Sequence, residues 1–195
     1  MKLTLGVFVL CSLVASIASA QEAAPRPSYQ AVRAATAPVV DGDLSDPIWQ
    51  GAPEITGFTQ RDPNEGQPAT DQTKIKVVYD DDAIYFAAVM EDDGKPTPLL
   101  ARRDSDLNTV LNNGDYIRIS IDSQHDRLNG AAFVVNASNV QMDMILYNDI
   151  YEKITWAEVW STAVKAGLRG WTAEVRVPYS QLRFPAKSVH TWGFN

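Results

Sequence analysis

Along much of this chain apolar and polar residues alternate with a period of two, the spacing of a strand with one buried and one wet face. Ile117, Ile119 and Ile121 alternate with Tyr116, Arg118, Ser120 and Asp122. Trp171, Ala173, Val175 and Val177 alternate with Thr172, Glu174 and Arg176. Val140, Met142, Met144 and Leu146 alternate with Gln141 and Asp143, and Ile145 interrupts the polar series. Runs rich in β-formers at Lys74–Tyr79, Ile84–Met90, Ala131–Asn136 and Val159–Val164 predict further strands. Turn chemistry lies between them: Asp80-Asp81-Asp82, Asn136-Ala137-Ser138-Asn139, and the two glycines of Lys165–Gly170. Only Asp46–Gln50 and Tyr179–Leu182 read as a turn of helix. Short strands at close spacing predict an all-β, antiparallel β-sandwich. Alternation with polar outer faces argues against a parallel α/β sheet.

The two faces of Tyr116–Asp122 and Trp171–Val177 differ in character. Their apolar sides predict core. Their polar sides, including Arg118 and Glu174, read either as solvated outer faces or as a binding platform. Arg118 and Glu174 are placed to pair if the two strands are neighbours.

The first twenty residues do not belong to this pattern. Lys2, the apolar run Leu3–Ile17 and the small-x-small site Ala18-Ser19-Ala20 form a secretory signal, with Gln21 as the expected new N-terminus. Residues 21–34 read as a linker or frayed start, and residues 35–195 as one domain. Cys11 is the only cysteine and lies in the signal, preceded by Leu10 and not by the small residue of a lipoprotein. The exported chain therefore has no disulfide framework, thiolate metal site or thiol nucleophile.

Seventeen Lys and Arg face 24 acids, a net charge of −7, and removal of Lys2 makes the exported chain one unit more acidic. Such a surface disfavours nucleic acid and anionic membranes. It suits neutral ligands or cations such as calcium.

Catalytic motifs are sparse. His125 and His190 belong to no HExxH pair or Cys/His cluster, and no GxSxG elbow, P-loop or dinucleotide fingerprint occurs. A glycosidase needs two acids about 5–10 Å apart across a cleft, which spacing along the chain does not fix. Binding is thus the first expectation and glycoside hydrolysis the last. Asp41-Gly42-Asp43-Leu44-Ser45-Asp46 resembles the front of a calcium loop, but Asp46 and Ala52 stand where an EF-hand needs Gly and Glu. Asp41, Asp43, Asp122 and Asp126 are candidate ligands of an irregular calcium site, or turn formers.

Among five tryptophans, Trp171 lies on an apolar face, and Trp49 and Trp192 read as core plugs. Trp156 lies in the polar stretch Asn148–Glu158, where an indole can offer a flat face to the C–H side of a sugar ring or can anchor the loop to the core. Trp160 opens a strand. With Trp156 and Trp160, the polar residues Arg103, Asp115 and Arg118 complete the sugar-binding candidates. Arg103 lies in a loop, where binding residues concentrate.

Four blocks in order carry a resemblance. Val39-Val40-Asp41-Gly42-Asp43-Leu44-Ser45-Asp46-Pro47-Ile48-Trp49 resembles the opening of carbohydrate-binding module family 9. Val77–Tyr85, Asp115–Asp122 and Gly170–Tyr179 follow in that family's order. The resemblance implies an immunoglobulin-like β-sandwich that binds carbohydrate without catalysis, with calcium supporting the fold in some members. Sugar-binding members grip the ligand between two tryptophans, and only Trp156 or Trp160 matches such a position here. Asp122–Asn136, Leu182-Arg183-Phe184 and Trp192-Gly193-Phe194-Asn195 resemble the branch found as the front domain of larger bacterial surface proteins. In those relatives the chain continues into a segment like an outer-membrane β-barrel. This resemblance implies a periplasmic, outer-membrane-associated or extracellular location, and a chain cut short at Asn195. It also leaves open an interaction domain with no sugar ligand.

Overall fold

The alternating segments do form strands, and they stack as two sheets of five. The computed structural model describes residues 27–104 and 113–195; the expected signal, residues 1–20, lies outside them. The elements are β1 (Val32–Arg33), α1 (Pro47–Gly51), β2 (Thr73–Tyr79), β3 (Ala83–Met90), β4 (Tyr116–Asp122), β5 (Gly130–Asn136), β6 (Gln141–Tyr147), β7 (Tyr151–Lys153), β8 (Ser161–Ala166), β9 (Trp171–Pro178), a 3-10 turn (Tyr179–Gln181) and β10 (Gly193–Phe194). One sheet has the order β1-β2-β3-β9-β8 and the other β10-β4-β5-β6-β7. All pairings are antiparallel except β1 with β2. This is an immunoglobulin-like β-sandwich. Among the described residues no helix is long and apolar enough to cross a membrane.

The folded domain starts earlier than residue 35. Val32 and Arg33 pair with β2, Ala34 is buried, and the Tyr29 hydroxyl donates to the Pro53 carbonyl at 2.8 Å. These residues, expected in the frayed start, have backbone partners on a formed sheet. At the other sheet edge β8 begins at Ser161, so Trp160 precedes the strand it was expected to open.

Between the sheets lies the main core, with Ile117, Ile119, Ile121, Phe133, Val175 and Val177 among its members. Parts of both outer faces are also buried, and for Glu174 this overturns the reading of a solvated polar face. Behind the first sheet, α1 and the Asp41–Asp46 loop cover Val78, Tyr85 and Ala87 and bury Trp49 among them. Glu174 points into this second layer and is 1% exposed. Its Oε2 accepts the Asp41 and Gly42 N–H groups at 2.9 and 2.8 Å, and its Oε1 accepts the Trp49 indole N–H at 2.8 Å. Burial pushes the carboxyl up from the ordinary carboxylate range; the three donors pull it down, and burial is the larger effect. Arg118 cannot reach it, because β4 and β9 belong to different sheets. Arg118 pairs instead with Glu152 of β7, 2.7 Å away.

The second sheet shows the same inversion. Met142 and Met144 pack with Ala132 and Val134 on the outer face, under Leu99 and Ala101. Asp143, and not the apolar series of β6, faces the sandwich interior opposite Phe133.

The β8–β9 turn depends on one glycine. Gly170 has φ +99°, and a Cβ there would lie 2.0 Å from the Met90 carbonyl oxygen. Gly170→Ala is expected to lower stability by roughly 2 kcal/mol or more, from left-handed strain and the backbone clash together. Urea unfolding followed by circular dichroism checks this; a midpoint within error of wild type would show the turn to be more compliant than its geometry.

Candidate functional site

Asp143 is an acid on an inward position of a strand, and it survives burial because three donors converge on it. The Trp160 indole N–H donates to Oδ2 at 2.8 Å and the Glu158 N–H to Oδ1 at 2.9 Å. The Arg103 guanidinium makes a short ion pair with Oδ2. Arg103 is held on every side. Its Nε reaches Asp104 at 3.2 Å, Nη1 donates to Gln141 Oε1 at 2.8 Å, and Nη2 also donates to the Glu158 carbonyl at 2.6 Å. Its Cζ lies 5.9 Å from the Trp160 ring centroid, within cation–π range.

From Arg103 a polar ladder crosses from one sheet to the other. Gln141 Nε2 donates to Thr162 Oγ1 at 2.9 Å, and Thr162 Oγ1 donates to Asn139 Oδ1 at 2.7 Å. Gln141 is in β6 and Thr162 in β8, so the ladder clasps the two sheets. Above it a groove of about 460 Å³ is lined by Leu100, Arg103, Ser138, Asn139 and Gln141, among others.

The groove walls are set by Asn136, fully buried at the end of β5. Its Oδ1 accepts the Ser138 and Val140 N–H groups at 3.0 and 2.8 Å, forming the turn that carries Asn139. Its Nδ2 donates to the Leu99 carbonyl at 2.7 Å, fixing the facing segment. Asn139 itself has φ +61°, a left-handed conformation that asparagine tolerates.

The sugar-binding candidates divide accordingly. Arg103 lines the groove. Trp160 lies beneath it, 4% exposed, with its N–H committed to Asp143. Trp156 is half-buried and packs on Phe133, 6.0 Å between centroids; Trp160 packs on the same ring at 5.2 Å. Both tryptophans thus anchor the loop to the core. Asp115 stands behind the wall: its Oδ2 accepts the Thr97 N–H at 2.6 Å and its carbonyl accepts the Ala137 N–H at 2.9 Å. Arg118 lies apart, on the outer face with Ser120 and Glu152. Asn136, Asn139, Gln141 and Thr162 were not singled out from sequence; the only signal was the Asn-Ala-Ser-Asn turn.

The calcium candidates build turns. Asp41 Oδ1 accepts the Asp43 N–H at 2.8 Å and Asp43 Oδ1 the Ser45 N–H at 3.1 Å. The other Asp43 oxygen pairs with Lys165 at 2.8 Å, and this partner foremost holds the Asp43 carboxyl below its usual range. Asp122 accepts the Asp126 and Arg127 N–H groups, and Asp126 those of Leu128 and Asn129. Among the described residues no group of three or more His, Cys, Asp or Glu is placed to hold a metal ion.

The fold has known counterparts. The family described as "Carbohydrate family 9 binding domain-like" matches residues 40–195. Two solved structures of a family 9 carbohydrate-binding module from Caldicellulosiruptor kristjanssonii are similar in fold. The one in complex with glucose is 18% identical, with a TM-score of 0.55, covering 86% of this chain and 74% of that one. The one in complex with cellotriose is 20% identical, with a TM-score of 0.56 and the same coverage. Among curated proteins none matches the chain at a significant level. Family 9 domains are non-catalytic, so the expectation of a binding module over an enzyme holds. The chain belongs to the carbohydrate family 9 binding domain-like family.

Proposed function

We propose that this chain is an exported carbohydrate-binding module that takes a neutral oligosaccharide in the groove beside Arg103, in the service of carbohydrate catabolism. The observation that carries this reading is the ladder Arg103–Gln141–Thr162–Asn139, three of whose members, Arg103, Gln141 and Asn139, line the groove together with Ser138. Guanidinium, amide and hydroxyl groups offer donors and acceptors side by side, which is what the hydroxyls of a pyranose require. Each is already oriented by its neighbour, so little rotamer entropy is lost on binding. Leu100 adds an apolar edge to the same groove. The acidic surface favours an uncharged sugar over an anionic one. Glucose and cellotriose, the ligands in the Caldicellulosiruptor structures, are the first probes. The signal Lys2–Ala20 supports delivery to the periplasm or beyond, where such sugars are met.

The test is calorimetric titration with glucose, cellotriose, xylotriose and mannotriose, with intrinsic tryptophan emission as a second signal. Saturable binding of at least one sugar is expected. The double variant Asn139→Ala/Gln141→Ala is expected to bind it about tenfold more weakly, the loss of one to two hydrogen bonds. A folded wild-type protein that gives no saturable signal with any of them would sink the reading.

A further inference from the structure

The β6–β7 hairpin carries a feature the groove does not use. Tyr147 and Tyr151 stand directly opposite each other in its register. Their rings are stacked, 5.4 Å between centroids and 21° between planes. Yet they are 38% and 52% exposed, and Ile150 at the tip is 74% exposed. Neither tyrosine hydroxyl has a hydrogen-bond partner among the described residues.

The pair is held firmly for a surface feature. Asn148 and Asp149 turn the chain with φ +53° and +69°, and the Asp149 N–H donates to the Leu128 carbonyl at 2.9 Å. On the opposite face of the hairpin, Glu152 is tied to Arg118 of β4. Each ring therefore has its orientation fixed by strand pairing below and by the other ring beside it. Lys153 follows on the same face, opposite Ile145.

We propose that Tyr147 and Tyr151 form a second carbohydrate-contact site, a platform in which the ring surface that the stacked pair leaves uncovered meets the apolar C–H face of a neutral polysaccharide. This rests on the reading of the chain as a carbohydrate-binding module. Tyrosine supplies rigid contact area at low entropic cost, with a hydroxyl to meet the polar rim of the sugar. The six residue steps along β6 from Gln141 to Tyr147 span about 20 Å, so the platform is separate from the groove. Two separated contacts on one module strengthen binding to a polymer, which can reach both, and leave a trisaccharide unaffected.

The experiment uses the full exported chain and two kinds of probe. Retention is measured on amorphous cellulose, xylan and mannan, and calorimetry follows the matching trisaccharide. Tyr147→Ala/Tyr151→Ala is expected to weaken retention on the preferred polymer about tenfold, and to leave trisaccharide affinity within about twofold. Tyr147→Phe/Tyr151→Phe keeps both rings and is expected to recover most of the loss. Near-ultraviolet circular dichroism confirms that each variant is folded. Polymer retention unchanged in the alanine variant would overturn the platform and leave the groove standing. Equal loss of polymer and trisaccharide would also overturn it, since the tyrosines would then belong to the groove. A wild-type chain that retains no polymer and binds no trisaccharide would overturn both readings.

Discussion

Glu174→Ala is expected to destabilise the domain by about 4 kcal/mol, which for a chain of this size lowers the melting temperature by roughly 8–16 °C. Three N–H groups lose their acceptor at once: those of Asp41 and Gly42 and the indole of Trp49. Gly42 cannot turn elsewhere, because it has φ +84° and lies against the backbone of Val164. Trp49 is enclosed on all sides. Each stranded donor carries a penalty of about 1–3 kcal/mol. Glu174→Gln has nearly the same shape, but its amide NH₂ meets donors where an oxygen accepted them; a loss of about 2 kcal/mol is expected.

The glutamine variant also isolates a pH effect. The Glu174 carboxyl is raised from its ordinary range, chiefly by burial, so the folded state holds its proton more readily than the unfolded chain does. Its contribution to stability is therefore greatest at pH below the ordinary carboxylate range. It declines as pH rises from there through the raised value, and is constant above it. Urea midpoints across that range should fall more steeply for wild type than for Glu174→Gln. Equal slopes would show that the carboxyl is not raised by its burial, and an alanine variant within about 1 kcal/mol of wild type would show that the three donors find water.

What was legible in the sequence, and what was not, follows from how far apart the partners lie. The period of two along β4, β6 and β9 is a local property, and it located the strands well. Period alone does not say which face is inside. That was correct for Ile117, Ile119 and Ile121, whose polar alternates are partly exposed. It failed for β6, where the apolar Met142 and Met144 face outward under Leu99 and Ala101 and the acid Asp143 faces inward. It failed for Glu174 on β9 for the same reason. In both cases the face is decided by a cover or a donor set distant in the chain: Asp41 is 133 residues from Glu174 and Arg103 is 40 from Asp143. The candidate site was half legible. Arg103 and Trp160 drew notice through their chemistry. Asn139 and Gln141 look like turn and strand residues until β8 brings Thr162 against them.

Asp143→Ala is expected to rival Glu174→Ala, at about 4 kcal/mol, because it strands two neutral donors and takes from Arg103 the buried one of its two carboxylate partners. The Trp160 indole and the Glu158 N–H lose their acceptor, and the Arg103 guanidinium loses its ion pair beside a buried ring. Asp143→Asn keeps an acceptor oxygen and should cost about 2 kcal/mol, because Arg103 loses its buried carboxylate partner but keeps Asp104. Arg103→Met leaves the carboxylate unpaired in turn, although the indole and the Glu158 N–H still meet it. The double variant Arg103→Met/Asp143→Leu removes both charges together and should be less destabilised than the sum of its parts. Thermal unfolding of wild type, Arg103→Met, Asp143→Leu and the double variant measures that coupling, and additivity would argue against a working pair. The same deletion carries a functional consequence that stability alone does not. Arg103 is the first rung of the ladder through Gln141 to Thr162. Once released from Asp143 it no longer holds Gln141 in place. At a temperature where Asp143→Asn remains folded, it should therefore lose trisaccharide affinity while keeping the Tyr147–Tyr151 contact with polymer.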